Sequence, residues 1–228
     1  MTVVASDAFN RADGAFEGSS LDVGGTWTRV SWSTDVTKPV ISSNKLTSAE
    51  GSGKNSVYRS STTITPADYS VQADISAVTG GVLAGVGGRL TTGPDQCYIG
   101  AVYQGGNAFC IFKVTAGSPT VKAQNSTSPA VGVTYRIRLS MIGTALKLYV
   151  QRLSDSLYLT TTANVWDTPE THCIDTTDTL CTAGGNVCVW ISTGSANGTI
   201  DDLVADDGTA GGGGNAPRAH YYQMMRQA

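Results

Sequence analysis

The stretch Thr134-Tyr135-Arg136-Ile137-Arg138-Leu139-Ser140-Met141-Ile142-Gly143-Thr144-Ala145-Leu146-Lys147-Leu148-Tyr149-Val150-Gln151 decides the fold. Its apolar residues return at every second position: Tyr135, Ile137, Leu139 and Met141, then Leu146, Leu148 and Val150. Thr134, Arg136, Arg138 and Ser140, then Lys147, Tyr149 and Gln151, fill the alternate positions. A period of two is the pattern of a strand with one buried face. Gly143-Thr144 separates the two runs, so the spacing predicts an antiparallel hairpin folded at that turn.

The same pattern extends outward. Tyr69, Val71, Ala73 and Ile75 alternate with Ser70, Gln72 and Asp74. Residues 97–103 and 107–114 flank Gly105-Gly106 and read as a second hairpin. Residues 198–205 read as the last strand, and Pro66-Ala67-Asp68 suggests a short helical turn. The glycine-rich run from Gly81 to Gly88 reads as a strand packed closely against its neighbours. It is not read as a phosphate cradle, because no helix follows it. No segment of ten or more residues carries a capped 3.6-residue period. The expectation is an all-β antiparallel sandwich.

With 228 residues, the chain fits one large domain. Residues 1–208 are expected to form the sandwich, 209–217 a glycine-rich linker and 218–228 a separate tail. Only 14% of residues are charged, against roughly 25% in ordinary soluble domains, so Ser, Thr, Asn and Gly supply the polarity. The net charge is −3 and no Lys/Arg run exists, which argues against nucleic acid as a partner. No apolar stretch approaches the ~20 residues of a spanning helix, so membrane insertion is not expected. The opening Met1-Thr2-Val3-Val4-Ala5-Ser6-Asp7 lacks the basic and apolar regions of a signal peptide. Cys188 lies in an apolar run and reads as a small buried hydrophobe, whereas Cys173 and Cys181 bracket a loop that a disulfide could close.

Asp7-Ala8-Phe9-Asn10-Arg11-Ala12-Asp13-Gly14, followed by Gly25-Thr26-Trp27, resembles the start of concanavalin A-like, laminin-G-like jelly-roll domains. The resemblance continues through Val40 to Leu46, Val82 to Arg89, Tyr98 to Tyr103, Tyr135 to Val150 and Thr199 to Leu203. It spans about residues 5–207 and implies a jelly-roll sandwich. Domains of this kind, carrying a short sticky tail, resemble those encoded among bacteriophage virion genes. That likeness implies a non-catalytic structural part (capsid decoration, fibre or tail component) on the virion surface. The alternative is an extracellular module that binds cell-surface glycans; glycoside hydrolase or lyase activity is the remote third reading. Since this fold hosts many activities, function must be argued from a site.

The hydrolases that share this fold carry Glu-x-Asp-x-x-Glu on one strand, and no such string occurs here. Asp201-Asp202 and Asp206-Asp207 are adjacent pairs, expected to point to opposite faces of a strand. His172 and His220, the only histidines, read as solvated, so neither a nucleophile-activating base nor a histidine zinc site is expected. No cofactor is required. A structural calcium ion is the one candidate: jelly rolls often tie their first and last strands with one, and Asp7 with Asp201 or Asp202 would supply hard oxygen ligands. Glycan binding would use arginines and aromatics on a concave sheet face, with Arg89, Tyr98, Tyr103, Arg136, Arg138 and Tyr149 as candidates. Trp27, Trp32 and Trp190 are assigned to the core. The tail residues Arg218, His220, Tyr221, Tyr222, Met224, Met225 and Arg226 are candidates for docking on other virion proteins or on copies of this chain.

Overall fold

The computed structural model describes residues 2–34, 38–47, 54–76, 83–91, 93, 95–193 and 198–207. The linker 209–217 and the docking residues from Arg218 to Arg226 lie outside the described residues. The chain passes through β1 (Val3–Asp7), β2 (Gly14–Ala15), β3 (Trp27–Arg29), β4 (Val40–Ser42), β5 (Lys45–Thr47) and β6 (Lys54–Ile64). It continues through β7 (Tyr69–Ser76), β8 (Leu83–Thr91), β9 (Gln96–Tyr103), β10 (Ala108–Thr115), β11 (Ser118–Asn125) and β12 (Thr134–Ile142). Then follow β13 (Ala145–Arg152), β14 (Leu157–Leu159), β15 (Trp166–Asp167), β16 (His172–Thr177), β17 (Gly185–Thr193) and β18 (Thr199–Asp206).

Two antiparallel sheets result. The larger runs β15-β14-β13-β12-β7-β18-β5-β4-β2, with β1 also paired to β18 and β16 to β13. The smaller runs β11-β10-β9-β8-β17-β6-β3. The predicted hairpins both form. Leu139 pairs with Leu148 across the β12–β13 turn, where Gly143 adopts φ 54°. A 3-10 turn at Gln104–Gly106 joins β9 to β10 and ends on Asn107 in the left-handed region.

The core lies between the sheets. Val71, Ala73, Ile75, Ile137, Leu139 and Leu148 of the larger sheet are fully buried. They belong to one cluster with Ala84, Val86, Val102, Phe109, Ile111 and Val189 of the smaller sheet. Trp27 joins this core, as expected, and Cys188 is buried. Cys173 and Cys181 are both buried free thiols, so the loop between them is not closed by a disulfide.

A second cluster covers the other face of the smaller sheet. Val57, Ile99, Ala101, Cys110, Phe112 and Trp190 form it, with Trp32, Leu83 and Tyr103 packed against them. Phe112 and Trp190 are three strand steps apart, about 14 Å at the usual spacing, yet their ring centroids are 5.1 Å apart. The rings therefore lie down along the sheet. Gly85, on β8, one of the two strands between them, leaves space there, since a Cβ would sit 2.6 Å from the Gly100 carbonyl oxygen and 2.9 Å from the Ala101 methyl. Residues 30–34 strap this face. Val30 N–H donates to the Val57 carbonyl near one edge, and Trp32 reaches the β10–β11 turn, where a Cβ on Gly117 would sit 2.7 Å from its own Cβ. Trp190 is thus buried in a core cluster as expected, with Trp32 packed against it, and that cluster lies on the outer face of the smaller sheet.

The turn at residues 66–68 is a bend between β6 and β7 rather than a helical turn. Its groups are drawn to Arg89. Register slips between Gly88 and Thr91, and Arg89 takes φ 55°. Its side chain, wholly buried, donates to the carbonyls of Ala67, Gly143 and Cys181, and lies 3.4 Å from Asp68. The Tyr69 hydroxyl bonds its backbone N–H. One guanidinium therefore ties together three turns from separate parts of the chain.

Candidate functional site

On the outer face of the larger sheet, antiparallel register lines up side chains in rows. Directly opposed residues share a face. One row is Asp201, Asp74, Arg136, Gln151 and Tyr158, from β18, β7, β12, β13 and β14. The adjacent row is Gln72, Arg138, Tyr149 and His172. The alternation that buries Ile137 and Leu148 necessarily turns Arg136, Arg138 and Tyr149 outward.

These side chains hold one another. The Arg138 guanidinium lies 3.9 Å from the Tyr149 ring centroid, within the range of a cation–π contact. Its NH2 group is ion-paired with Glu170. His172 meets the Tyr149 ring edge-on at 6.0 Å, and its Nε2 is 3.5 Å from Asp175. Arg136 makes a forked pair with Asp74, with Nε to Oδ1 at 2.7 Å and NH2 to Oδ2 at 2.8 Å. Burial alone would lower the Arg136 pKa; the Asp74 bonds outweigh it and raise it. Burial and then nearby Glu170 raise the Tyr158 phenol, against the pull of Arg138 and Arg136. The result is a half-buried patch of planar and hydrogen-bonding groups on five neighbouring strands, preset by its own contacts.

Beside this patch lies an open depression of about 480 Å3, lined by Lys45, Asp74, Ser76, Thr134, Asp201 and Asp202. The sequence had suggested that Asp201 and Asp202 would face opposite ways. A bulge between Asp201 and Val204, with Asp202 at φ 48°, overrides that alternation, and both line the depression. Burial, then the Asp202 charge, pushes the Asp201 carboxyl up to about 6.

The calcium candidates Asp7, Asp201 and Asp202 do not assemble into a ligand group among the described residues. Asp7 is buried, and its Oδ1 accepts from Arg11 at 2.7 Å and from the Phe9 N–H at 2.7 Å. Its Oδ2 accepts from Arg11 at 2.9 Å and from Trp27 Nε1 at 2.6 Å. Asp7 pairs with Leu203 across β1 and β18, whereas Asp201 pairs with Asp74. Four donors occupy the Asp7 carboxylate, so it cannot serve as an ion ligand alongside Asp201 or Asp202. Among the described residues, no group of three or more His, Cys, Asp or Glu side chains could hold a metal ion.

Of the six glycan-binding candidates, the structure brings Arg136, Arg138 and Tyr149 together. Arg89 and Tyr98 are fully buried and cannot face a ligand. The Arg89 guanidinium is occupied by carbonyl groups, and the Tyr98 hydroxyl donates to Asp178 and accepts from the Cys181 N–H. Tyr103 lies on the smaller sheet, edge-on to Phe112. Sequence reasoning missed Tyr158, Glu170 and His172. His172 starts strand β16 instead of sitting in a solvated loop. Tyr158 carried a faint signal in the alternation of β14; Glu170 stands outside any strand and carried none.

No protein-family model and no curated protein matches this chain. Solved structures do match. A carbohydrate-binding module, CBM66 from Bacillus subtilis, aligns with TM-score 0.60 at 16% identity, covering 80% of this chain and 96% of that one. The exoplasmic/lumenal domain of VIP36, in its Ca2+/Man3GlcNAc-bound form, aligns with TM-score 0.53 at 14% identity, covering 85% and 87%. A native glycosidic hydrolase aligns with TM-score 0.55 at 11% identity, covering 90% and 96%. The fold is that of the jelly-roll sandwiches found in lectins and carbohydrate-binding modules.

Proposed function

We propose that this chain is a carbohydrate-binding module whose binding surface is the outer face of the larger sheet, centred on Arg138 and Tyr149. The observation that carries the reading is the Arg138–Tyr149 stack, set in register beside the Arg136–Asp74 fork. Sugars are recognised by flat apolar faces for the ring and by fixed polar groups for the hydroxyls. The patch offers both on rigid strands. The likeness to CBM66 and to a glycan-bound VIP36 domain adds the precedent of this fold in binding, though only as analogy.

Binding is favoured over hydrolysis. Asp201, with its raised pKa, has the profile of a general acid, but Asp74 directly opposite commits both oxygens to Arg136. Hydrolysis requires two carboxylates held across the scissile bond, whereas Asp201 and Asp202 are consecutive residues at one bulge of a single strand.

The test is a glycan array followed by titration calorimetry. Wild-type protein should bind one glycan class with micromolar to millimolar affinity, roughly −8 to −4 kcal/mol, and Arg138→Ala should lose it. A folded protein that binds nothing on the array would end this reading.

A structural role on the virion surface is the second reading, favoured by the Gly211-Gly212-Gly213-Gly214 linker followed by an aromatic and Met-rich peptide. On that reading, deleting residues 209–228 leaves a folded protein that no longer enters a particle. The two roles are compatible in one chain.

A further inference from the structure

The patch contains two arginines, which would ordinarily point to an anionic ligand. Here both are already neutralised. Arg138 is ion-paired with Glu170, and Asp74 grips Arg136 through both oxygens. The neighbouring lysine, Lys147, is 3.4 Å from Asp175. Along the same row comes Asp201, with Asp202 beside it in the depression. Lys45 also lines the depression, but it sits beside Asp201, so a carboxylate or sulfate entering this surface would meet cations already faced by carboxylates.

We propose that Glu170 and Asp74 determine specificity by charge, so that the patch takes neutral sugars and rejects sialylated, uronate or sulfated ones. The inference rests on the glycan-binding reading and goes on to name the ligand class. A sugar hydroxyl can donate to a carboxylate oxygen and accept from a guanidinium N–H at once, so an existing ion pair presents both partners that a neutral polyol needs. An anion offers only acceptors and must compete with Glu170 or Asp74 for the same N–H groups. Arg136 and Arg138, two residues apart on β12, are roughly 7 Å apart along the strand, so one sugar residue can touch both guanidinium groups. Glu170 is the more informative of the two acids, because it lies at the surface while Asp74 is buried.

The experiment compares wild type, Glu170→Gln and Glu170→Ala on an array that pairs sialyl-, glucuronyl- and sulfate-terminated glycans with their neutral counterparts. Thermal melting confirms that each variant folds. Wild type should bind neutral members only. Both variants should gain anionic glycans by roughly tenfold, the effect of freeing one charge-assisted bond at Arg138. Wild type that binds anionic and neutral members alike overturns the charge rule and leaves glycan binding standing. Selectivity unchanged in both folded variants removes Glu170 from the role. No binding by any protein overturns the glycan-binding reading, and this inference falls with it.

Discussion

The Arg138 guanidinium lies over the Tyr149 ring, 3.9 Å from its centroid, although the two residues belong to different strands and are joined only by register. The contact orders both side chains before any ligand arrives. It is worth about 0.5–2 kcal/mol by itself. Tyr149→Ala should therefore weaken glycan binding by tenfold or more, measured by calorimetry, while changing the melting temperature little. Tyr149→Phe keeps the ring and should restore most of the affinity.

Arg89 is the residue on which three turns converge. Replacing it with Met leaves the Cys181 carbonyl without its donor at a buried bond, and the carbonyls of Ala67 and Gly143 without theirs at part-buried ones. Each unsatisfied buried group costs about 1–3 kcal/mol. Arg89→Met should lower unfolding stability by about 1–3 kcal/mol in a urea titration, the cost of the one carbonyl left unsatisfied at a buried bond. Arg89→Lys should fare only partly better, since an ammonium cannot reproduce the fork.

Two aspartates should make stability respond to pH in opposite directions. Asp201 is held up near 6, above its unfolded value of about 3.9. Its protonated form is favoured in the fold, so its contribution is present below about pH 4 and is lost as pH rises through about 6. Asp201→Asn should raise the melting temperature at neutral pH and leave it nearly unchanged in acid.

For Asp178, burial acts upward, but the Leu180 N–H, the Tyr98 hydroxyl, Lys113 and Lys122 together hold its carboxyl well below the usual range. Its contribution is present above the unfolded pKa and is lost as pH falls through the depressed folded value. Asp178→Asn should therefore be destabilised at neutral pH, with the difference from wild type narrowing in strong acid. Thermal scans across pH on both variants would check the two signs together.

Gly117 has φ 76°, and any Cβ there would press on Trp32. Gly117→Val should shift the strap over residues 30–34 and expose part of the Trp32–Trp190 contact. A red shift in tryptophan emission with little change in far-ultraviolet circular dichroism is the expected result. Unchanged emission would mean that the strap is not held by this turn.

Strand identity, the two hairpins and the sandwich were legible in the sequence because alternation is a local consequence of the pleat. Val71, Ile137 and Leu148 declare which face is buried from their own segments alone. The same rule turned Arg136, Arg138 and Tyr149 outward together, and for that reason half of the candidate site could be read in advance. Arg89 escaped the rule because a register slip rotates it into the interior, and Asp202 because a bulge rotates it beside Asp201. Bulges leave little trace in a pattern of period two.

By itself, then, the sequence determined the class of fold and the outward set of side chains, since both follow from contacts between near neighbours along the chain. Arg138 and Tyr149 are set opposite each other by the hairpin itself; which of the other outward residues meet was decided by tertiary structure. Glu170 reaches Arg138 across 32 positions, and Asp74 reaches Arg136 across 62. Such pairings depend on the order and register of strands that only the packed core can set.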